Sequence, residues 1–268
     1  MSERIEKLFA ELKNINRPAF ISYITAGDPN YDECLNIVDH LVSADIDILE
    51  LGIPFSDPLA DGEANQLSAQ RALLNDFSVD DVLSLVADIR KKHQNLPIVL
   101  YTYLNPVAFA RDFKDFCMKA KKSGVDSLLL LDLIPEEGDS YKTIIDNSGL
   151  SLVALVAPNT PEERLNTITQ FASSFVYYVS REGVTGERND LASGIEEKIS
   201  LIKKHTDLPV VMGFGISTPE HVKAAAKCGL DGIVVGSAIV RKIEALSKNK
   251  ISILEIEKFV KSLTDDLK

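Results

Sequence analysis

Eight short apolar runs recur along the chain, and most are separated by longer segments with the spacing of an amphipathic helix. The runs are apolar at consecutive positions, as in parallel strands that are covered by helices. Repeated strand–helix units close most simply into a (β/α)8 TIM barrel, with a doubly wound sheet as the alternative. The predicted strands are Phe20–Thr25, Ile46–Gly52, Ile98–Tyr103, Ser127–Asp132, Ser151–Ala157, Phe175–Ser180, Pro209–Gly213 and Gly232–Val235.

Helical patterns lie between these runs, and an amphipathic pattern over Met1–Asn14 predicts an extra N-terminal helix. The length of 268 residues is close to the roughly 250 of a single barrel. No linker or change of composition divides the chain, so we predict one domain over residues 1–268. The other predicted helices include Asp32–Val42, Val79–His93, Phe109–Lys122, Pro161–Ala172, Ile195–Lys204 and Pro219–Cys228.

Charge and cysteine content exclude several classes of function. A net charge of −11 disfavours nucleic acid and anionic membranes as partners, because both are polyanions. The three cysteines are isolated and the histidines are not spaced as ligand pairs, so neither a disulfide framework nor a metal site is expected. Without a signal peptide or a membrane-spanning run, we expect a cytoplasmic protein.

Glu50 is the most unusual residue of the predicted strands. In the second strand, Leu49 and Leu51 share one face and Glu50 lies on the other. If the leucines pack under helices, Glu50 points into the barrel, where a carboxyl group needs a cationic partner or a proton. The predicted strands contain no Lys or Arg, so desolvation is expected to raise the pKa of Glu50 and to favour a general acid.

Other candidate residues follow the strand ends, where such barrels hold their active sites. A long loop after the second strand carries Asp61, a second carboxylate that could take a different protonation role. Glycine-rich clusters follow the last two strands, at Gly213–Ser217 and Gly236–Ser237, each with a helix beyond it. Exposed amides and a helix N-terminus in this position favour a phosphate site, and neither cluster contains Lys or Arg.

Five segments together resemble the tryptophan synthase α chain family and occur in the family's order over nearly the whole chain. The most specific is the run from Leu49 to Gly62, LELGIPFSDPLADG. The others are AF…TAGDP within 19–29, SREGVTG at 180–186, GFGI at 213–216 and GSAIV at 236–240.

The resemblance implies roles for individual residues. Glu50 and Asp61 match the catalytic pair, and Tyr177 matches the tyrosine beside the catalytic glutamate. Thr185 matches the threonine of the mobile sixth loop. The family's phosphate cradle is matched by Gly186, Gly213, Gly215, Gly236 and Ser237. Its pocket wall is matched by Tyr23 and Phe214.

The implied reaction is the retro-aldol cleavage of indole-3-glycerol phosphate to indole and D-glyceraldehyde 3-phosphate. Glu50 would protonate indole C3, and ionised Asp61 would accept a hydrogen bond from the ring N–H and stabilise its positive charge. The α chain would need no cofactor. The implied partner is a β subunit that carries pyridoxal phosphate, in an α2β2 assembly. Loops two and three would form the interface, with Pro54, Asp57, Asn105 and Pro106 among its residues.

The sequence also departs from the family. Glu63-Ala64-Asn65 replaces the usual proline, small residue and isoleucine after Asp61-Gly62, and Ile134 stands where proline is common. Asn65 is expected to make the pocket more polar.

Two alternative functions stay open: another phosphate-binding barrel, such as an indole-glycerol-phosphate synthase or a sugar-phosphate isomerase, and a non-catalytic barrel that only binds and activates a β partner. The synthase would require a strand lysine, which the predicted strands lack.

Overall fold

The computed structural model describes residues 1–179, 189–213 and 215–267, with only the backbone course for 189–193. Eight parallel strands pair in chain order, and the eighth pairs with the first, so the sheet is a closed barrel. The predicted (β/α)8 fold is therefore confirmed. The strands are β1 Ala19–Thr25, β2 Ile48–Gly52, β3 Ile98–Thr102, β4 Ser127–Leu130, β5 Ser151–Val156, β6 Val176–Val179, β7 Val210–Gly213 and β8 Gly232–Val235.

Helices surround the barrel and also close its lower end. They are α1 Glu3–Asn14, α2 Tyr31–Ser43, α3 Glu63–Leu73, α4 Val79–Lys92, α5 Phe113–Ser123, α6 Pro135–Asn147, α7 Glu162–Phe171, α8 Asn189–Lys203, α9 Pro219–Ala226, α10 Ser237–Ser247 and α11 Ile253–Thr264. Within the described part of the chain, none of them is long and apolar enough to cross a membrane.

Strand alternation divides the core into two layers. Leu49 and Leu51 of β2 pack in the outer layer between the barrel and the helices, whereas Ile48 packs in the barrel interior. The N-terminal helix α1 buries its apolar face in the interior layer, where Phe9 and Phe175 meet edge to face with ring centroids 6.1 Å apart. The lower end is thereby filled with apolar side chains, and the upper end holds polar groups.

Several predicted boundaries differ from the structure, among them the start of α8, which is Asn189 and not Ile195, and two of the differences have a clear local reason. The helix predicted from Phe109 begins at Phe113, because Asp112 accepts a hydrogen bond from the backbone of Asp115 and caps the helix there. The preceding residues Asn105–Phe109 form a separate π-helical turn. Strand β2 begins at Ile48, two residues later than predicted, because Asp47 binds Arg17 and the Phe20 amide at the lower rim.

Candidate active site

Glu50 lies inside the upper half of the barrel with only 2% of its surface exposed. It is level with Tyr23 on β1 and Val99 on β3 in the strand register. Its Oε1 atom is buried and has no hydrogen-bond partner among the described residues. Burial, with a smaller contribution from the charge of Asp61, raises the pKa of Glu50 to about 8. The carboxyl group therefore holds its proton at neutral pH.

Asp61 is held by three side chains in the loop that follows β2. Tyr101 and Asn65 donate hydrogen bonds to its Oδ1 atom at 2.9 and 3.2 Å, and Tyr103 donates to Oδ2 at 2.6 Å. The Tyr103 hydroxyl also accepts a bond from the backbone amide of Ala60 at 2.9 Å. Because all three side chains donate, the arrangement suits an ionised carboxylate. The two acids of the cavity thus lie in different environments.

Tyrosine side chains form much of the wall between these acids. The rings of Tyr23 and Tyr101 meet at 67° with centroids 4.9 Å apart. Tyr177 lines the same cavity from β6. Desolvation, followed by nearby charges that include Glu50 and Asp61, raises the pKa of all three phenols well above the ordinary value. They consequently stay neutral and can donate hydrogen bonds.

The glycine clusters border the far end of the cavity. Gly236 immediately precedes α10, and the N-terminus of this helix has no side-chain cap among the described residues. Gly215, at φ +75°, has a left-handed backbone that favours glycine. Gly213 is explained by packing, because a Cβ atom there would lie 1.8 Å from the Tyr177 hydroxyl.

The structure brings together seven of the residues that the sequence singled out. Glu50, Asp61, Tyr23, Tyr177, Gly215, Gly236 and Ser237 all line one cavity. Gly213 packs against the Tyr177 hydroxyl. The predicted sites Thr185, Gly186 and Phe214 lie outside the described residues.

Three residues that contribute to this site were not among those nominated from the sequence. Tyr101 and Tyr103, at the end of β3, both donate hydrogen bonds to Asp61. Arg241 also lines the cavity, although neither glycine cluster contains a cation. Its position four residues after Ser237 places both residues on one face of α10, and this spacing is the signal that could have found it.

The two loops beside the cavity mouth are only partly exposed. Asp57 and Asn105 are exposed, and Leu59 and Phe109 expose 93% and 71% of their surface. Pro54, which the resemblance places at the interface, and Val107 of the third loop are not exposed. Pro54 is buried directly after β2, and Val107 belongs to the outer core layer. Pro106 is half-buried.

The fold is that of a (β/α)8-barrel enzyme, and its cavity holds two carboxyl groups at the carboxyl end of the strands. The family model described as tryptophan synthase alpha chain matches residues 9–268. The chain belongs to this family.

Individual relatives agree over almost their full length. The tryptophan synthase alpha chain of Opitutus terrae is 49% identical over 90% of this chain and 89% of the relative. The tryptophan synthase alpha chain of Geotalea daltonii is 42% identical over 92% of this chain and 93% of the relative. The crystal structure of the alpha subunit from Legionella pneumophila superposes with a TM-score of 0.91 at 34% identity, covering 100% of this chain and 98% of that one.

A further structure relates the fold to an assembly. A chain from the tryptophan synthase α2β2 complex of Pyrococcus furiosus superposes with a TM-score of 0.83 at 36% identity, covering 93% of this chain and 98% of that one. The P. furiosus complex is one in which mutual activation occurs.

Proposed function

We propose that this chain, as one domain over residues 1–268, cleaves indole-3-glycerol phosphate to indole and D-glyceraldehyde 3-phosphate, with Glu50 and Asp61 as its catalytic residues. The observation that carries the proposal is the buried, protonated carboxyl of Glu50 in the same cavity as the hydrogen-bonded carboxylate of Asp61. One group can donate a proton while the other stabilises positive charge.

The reaction begins when Glu50 transfers its proton to C3 of the indole ring. Positive charge then develops at the ring nitrogen, and ionised Asp61 stabilises it from the cavity wall. The adjacent glycerol hydroxyl next loses its proton to the Glu50 carboxylate, and the C–C bond breaks as its electrons return to the ring. The proton balance of Glu50 is restored, so the cycle needs no cofactor in this chain. Tyr177 lines the same cavity from β6, and its neutral phenol can donate a hydrogen bond to Glu50 or to the substrate.

The phosphate end lies on the opposite side of the cavity. Gly215, Gly236 and Ser237 place backbone amides and a hydroxyl around the N-terminus of α10, where the helix dipole favours an anion. The proposal extends this cradle to Gly213, Gly186 and Phe214, and it assigns Thr185 to the loop that covers the site. Tyr23 forms the wall between the phosphate and the ring.

A direct test is to incubate the purified chain with indole-3-glycerol phosphate, with and without its cognate β subunit, and to measure both products. Indole and D-glyceraldehyde 3-phosphate should appear in equal amounts. If neither product forms at saturating β subunit, the chain is a non-catalytic barrel that only binds its partner. This outcome would refute the proposal.

The same proposal includes an α2β2 assembly in the cytoplasm, with pyridoxal phosphate on the β subunit that receives the indole. The exposed apolar side chains Leu59 and Phe109 and the charged Asp57 lie in the loops that follow β2 and β3, at the carboxyl end of the strands. Exposed apolar side chains beside polar groups are typical of a protein–protein contact. We assign Asn105 and Pro106 to the same surface, and Pro54 to the buried base of the first of these loops.

We expect Asp57→Ala to weaken activation by the β subunit more than it weakens the isolated reaction. Asp57 is exposed, accepts a hydrogen bond from its neighbour Ser56 at 2.6 Å and does not line the cavity, so its removal leaves the cavity intact. The measurement is a titration of β subunit into wild-type and variant chains while indole release is followed. Ser56→Ala is the matched control. If wild-type turnover does not respond to saturating cognate β subunit, the partner assignment fails.

A further inference from the structure

Among the described arginines, Arg241 differs from the rest in having no acidic partner. Six others each form an ion pair with a carboxylate at 2.6–3.1 Å: Arg4, Arg17, Arg71, Arg90, Arg111 and Arg164. Arg241 forms neither an ion pair nor a hydrogen bond within the described part of the chain, although the chain carries an excess of acids. Its guanidinium therefore remains available to an anion from outside.

The position of Arg241 indicates which anion its guanidinium binds. It is exposed on the first turns of α10 and lines the catalytic cavity together with Gly236 and Ser237. A side chain on a helix covers the turn that precedes its own Cα, so the Arg241 side chain extends towards the start of α10. That is the end of the cavity at which the phosphate cradle has been placed.

The charges of the cavity favour such a cation. Asp61 and Glu63 also line the cavity, and the whole chain carries a net charge of −11. A doubly charged phosphate is repelled by this field, and a cation beside the neutral backbone amides would reduce the repulsion. Arg241 is the only cationic residue among the described residues that line the cavity.

We propose that the Arg241 guanidinium binds the phosphate group of the substrate and is a specificity-determining residue for phosphorylated ligands. The planar fork of donors in arginine matches two phosphate oxygens at once, which a lysine ammonium does not do. This inference rests on the proposed function, since it takes the phosphate to lie at the start of α10. It adds a side-chain cation to a cradle that otherwise consists of amides and one hydroxyl.

The test separates the two ends of the cavity by ligand. Binding of glycerol 3-phosphate and of free indole is measured by calorimetry on the purified chain, in wild type and in Arg241→Met. Because Arg241→Met removes the charge-assisted hydrogen bonds to the phosphate, we expect glycerol 3-phosphate to bind at least about tenfold more weakly. Indole binding should stay within about twofold, because indole does not reach the phosphate end.

Lys242 provides the matched control on the same helix. Its ammonium lies 4.6 Å from the centre of the Phe259 ring and does not line the cavity. Lys242→Met removes the same charge, so it reports any general effect of net charge. We expect it to leave both ligands unaffected, and Arg241→Lys to recover part of the phosphate affinity.

Three outcomes would overturn the inference: unchanged glycerol 3-phosphate binding in Arg241→Met, an equal loss of both ligands, or an equal effect of Lys242→Met. In each case the wild-type chain could still release indole, so the proposed function would survive. Conversely, the wild-type chain could form no indole while Arg241→Met still weakens glycerol 3-phosphate binding. That result would refute the proposed reaction and support the contact between Arg241 and the phosphate.

Discussion

Replacement of Glu50 by glutamine is expected to lower the rate of indole formation by about 10²–10⁴-fold, the usual contribution of a general acid. Glutamine has nearly the same shape but cannot transfer a carboxylic proton. The measurement is kcat for indole release at saturating β subunit. A variant that keeps wild-type turnover would show that Glu50 is not the acid.

Stability measurements provide the control that the variant is folded. In the folded chain the pKa of Glu50 is about 8, well above the ordinary 4.5, so ionisation is favoured only after unfolding. Below pH 4.5 the Glu50 carboxyl group therefore does not lower the free energy of unfolding of the wild type. As the pH rises from 4.5 to 8, this free energy falls. At pH 7 we expect Glu50→Gln to gain on the order of 3 kcal/mol in the free energy of unfolding, and at pH 4 to gain nothing.

Asp61→Asn should have the second large effect, a loss of turnover of about 10²–10³-fold, comparable to removal of one electrostatic stabiliser of a transition state. The neutral amide lacks the charge that stabilises the protonated ring. It also has a single acceptor oxygen, whereas Tyr101, Tyr103 and Asn65 all donate to the present carboxylate. The measurement is single-turnover indole formation, which separates chemistry from product release.

Tyr103→Phe is the matched control for this variant. It removes one hydrogen bond to Asp61 and the contact with Ala60 but leaves the charge in place. If charge is decisive, Tyr103→Phe should lose much less activity than Asp61→Asn. Equal losses would reduce Asp61 to a residue that only holds its loop.

The fold and the acid at its centre could both be predicted from local sequence pattern. Runs that are apolar on both faces specified the eight parallel strands, because such strands are covered on both sides. Alternation of Leu49, Glu50 and Leu51 then fixed the direction of the glutamate relative to the two core layers. These inferences depend only on residues that are close to one another in the sequence.

Contacts between distant elements could not be predicted in this way. Tyr101 and Tyr103 bind Asp61 across about forty positions of sequence, a pairing decided by how the loop after β2 folds back over β3. Arg241 reaches the cavity from α10, and only its spacing from Ser237 points to it, because the strand-end rule points to loops. The buried position of Pro54 likewise depends on tertiary packing that composition does not encode.

The most direct test of the central claim, that burial keeps Glu50 protonated as the catalytic acid, is the pH dependence of kcat/KM for indole release. The pKa of about 8 means that the active, protonated form predominates below that value. We predict a level profile from pH 6 to about 7.5 and a decline of about tenfold per pH unit above 8. A kcat/KM that stays level to pH 10, or that rises through pH 8, would contradict the assignment.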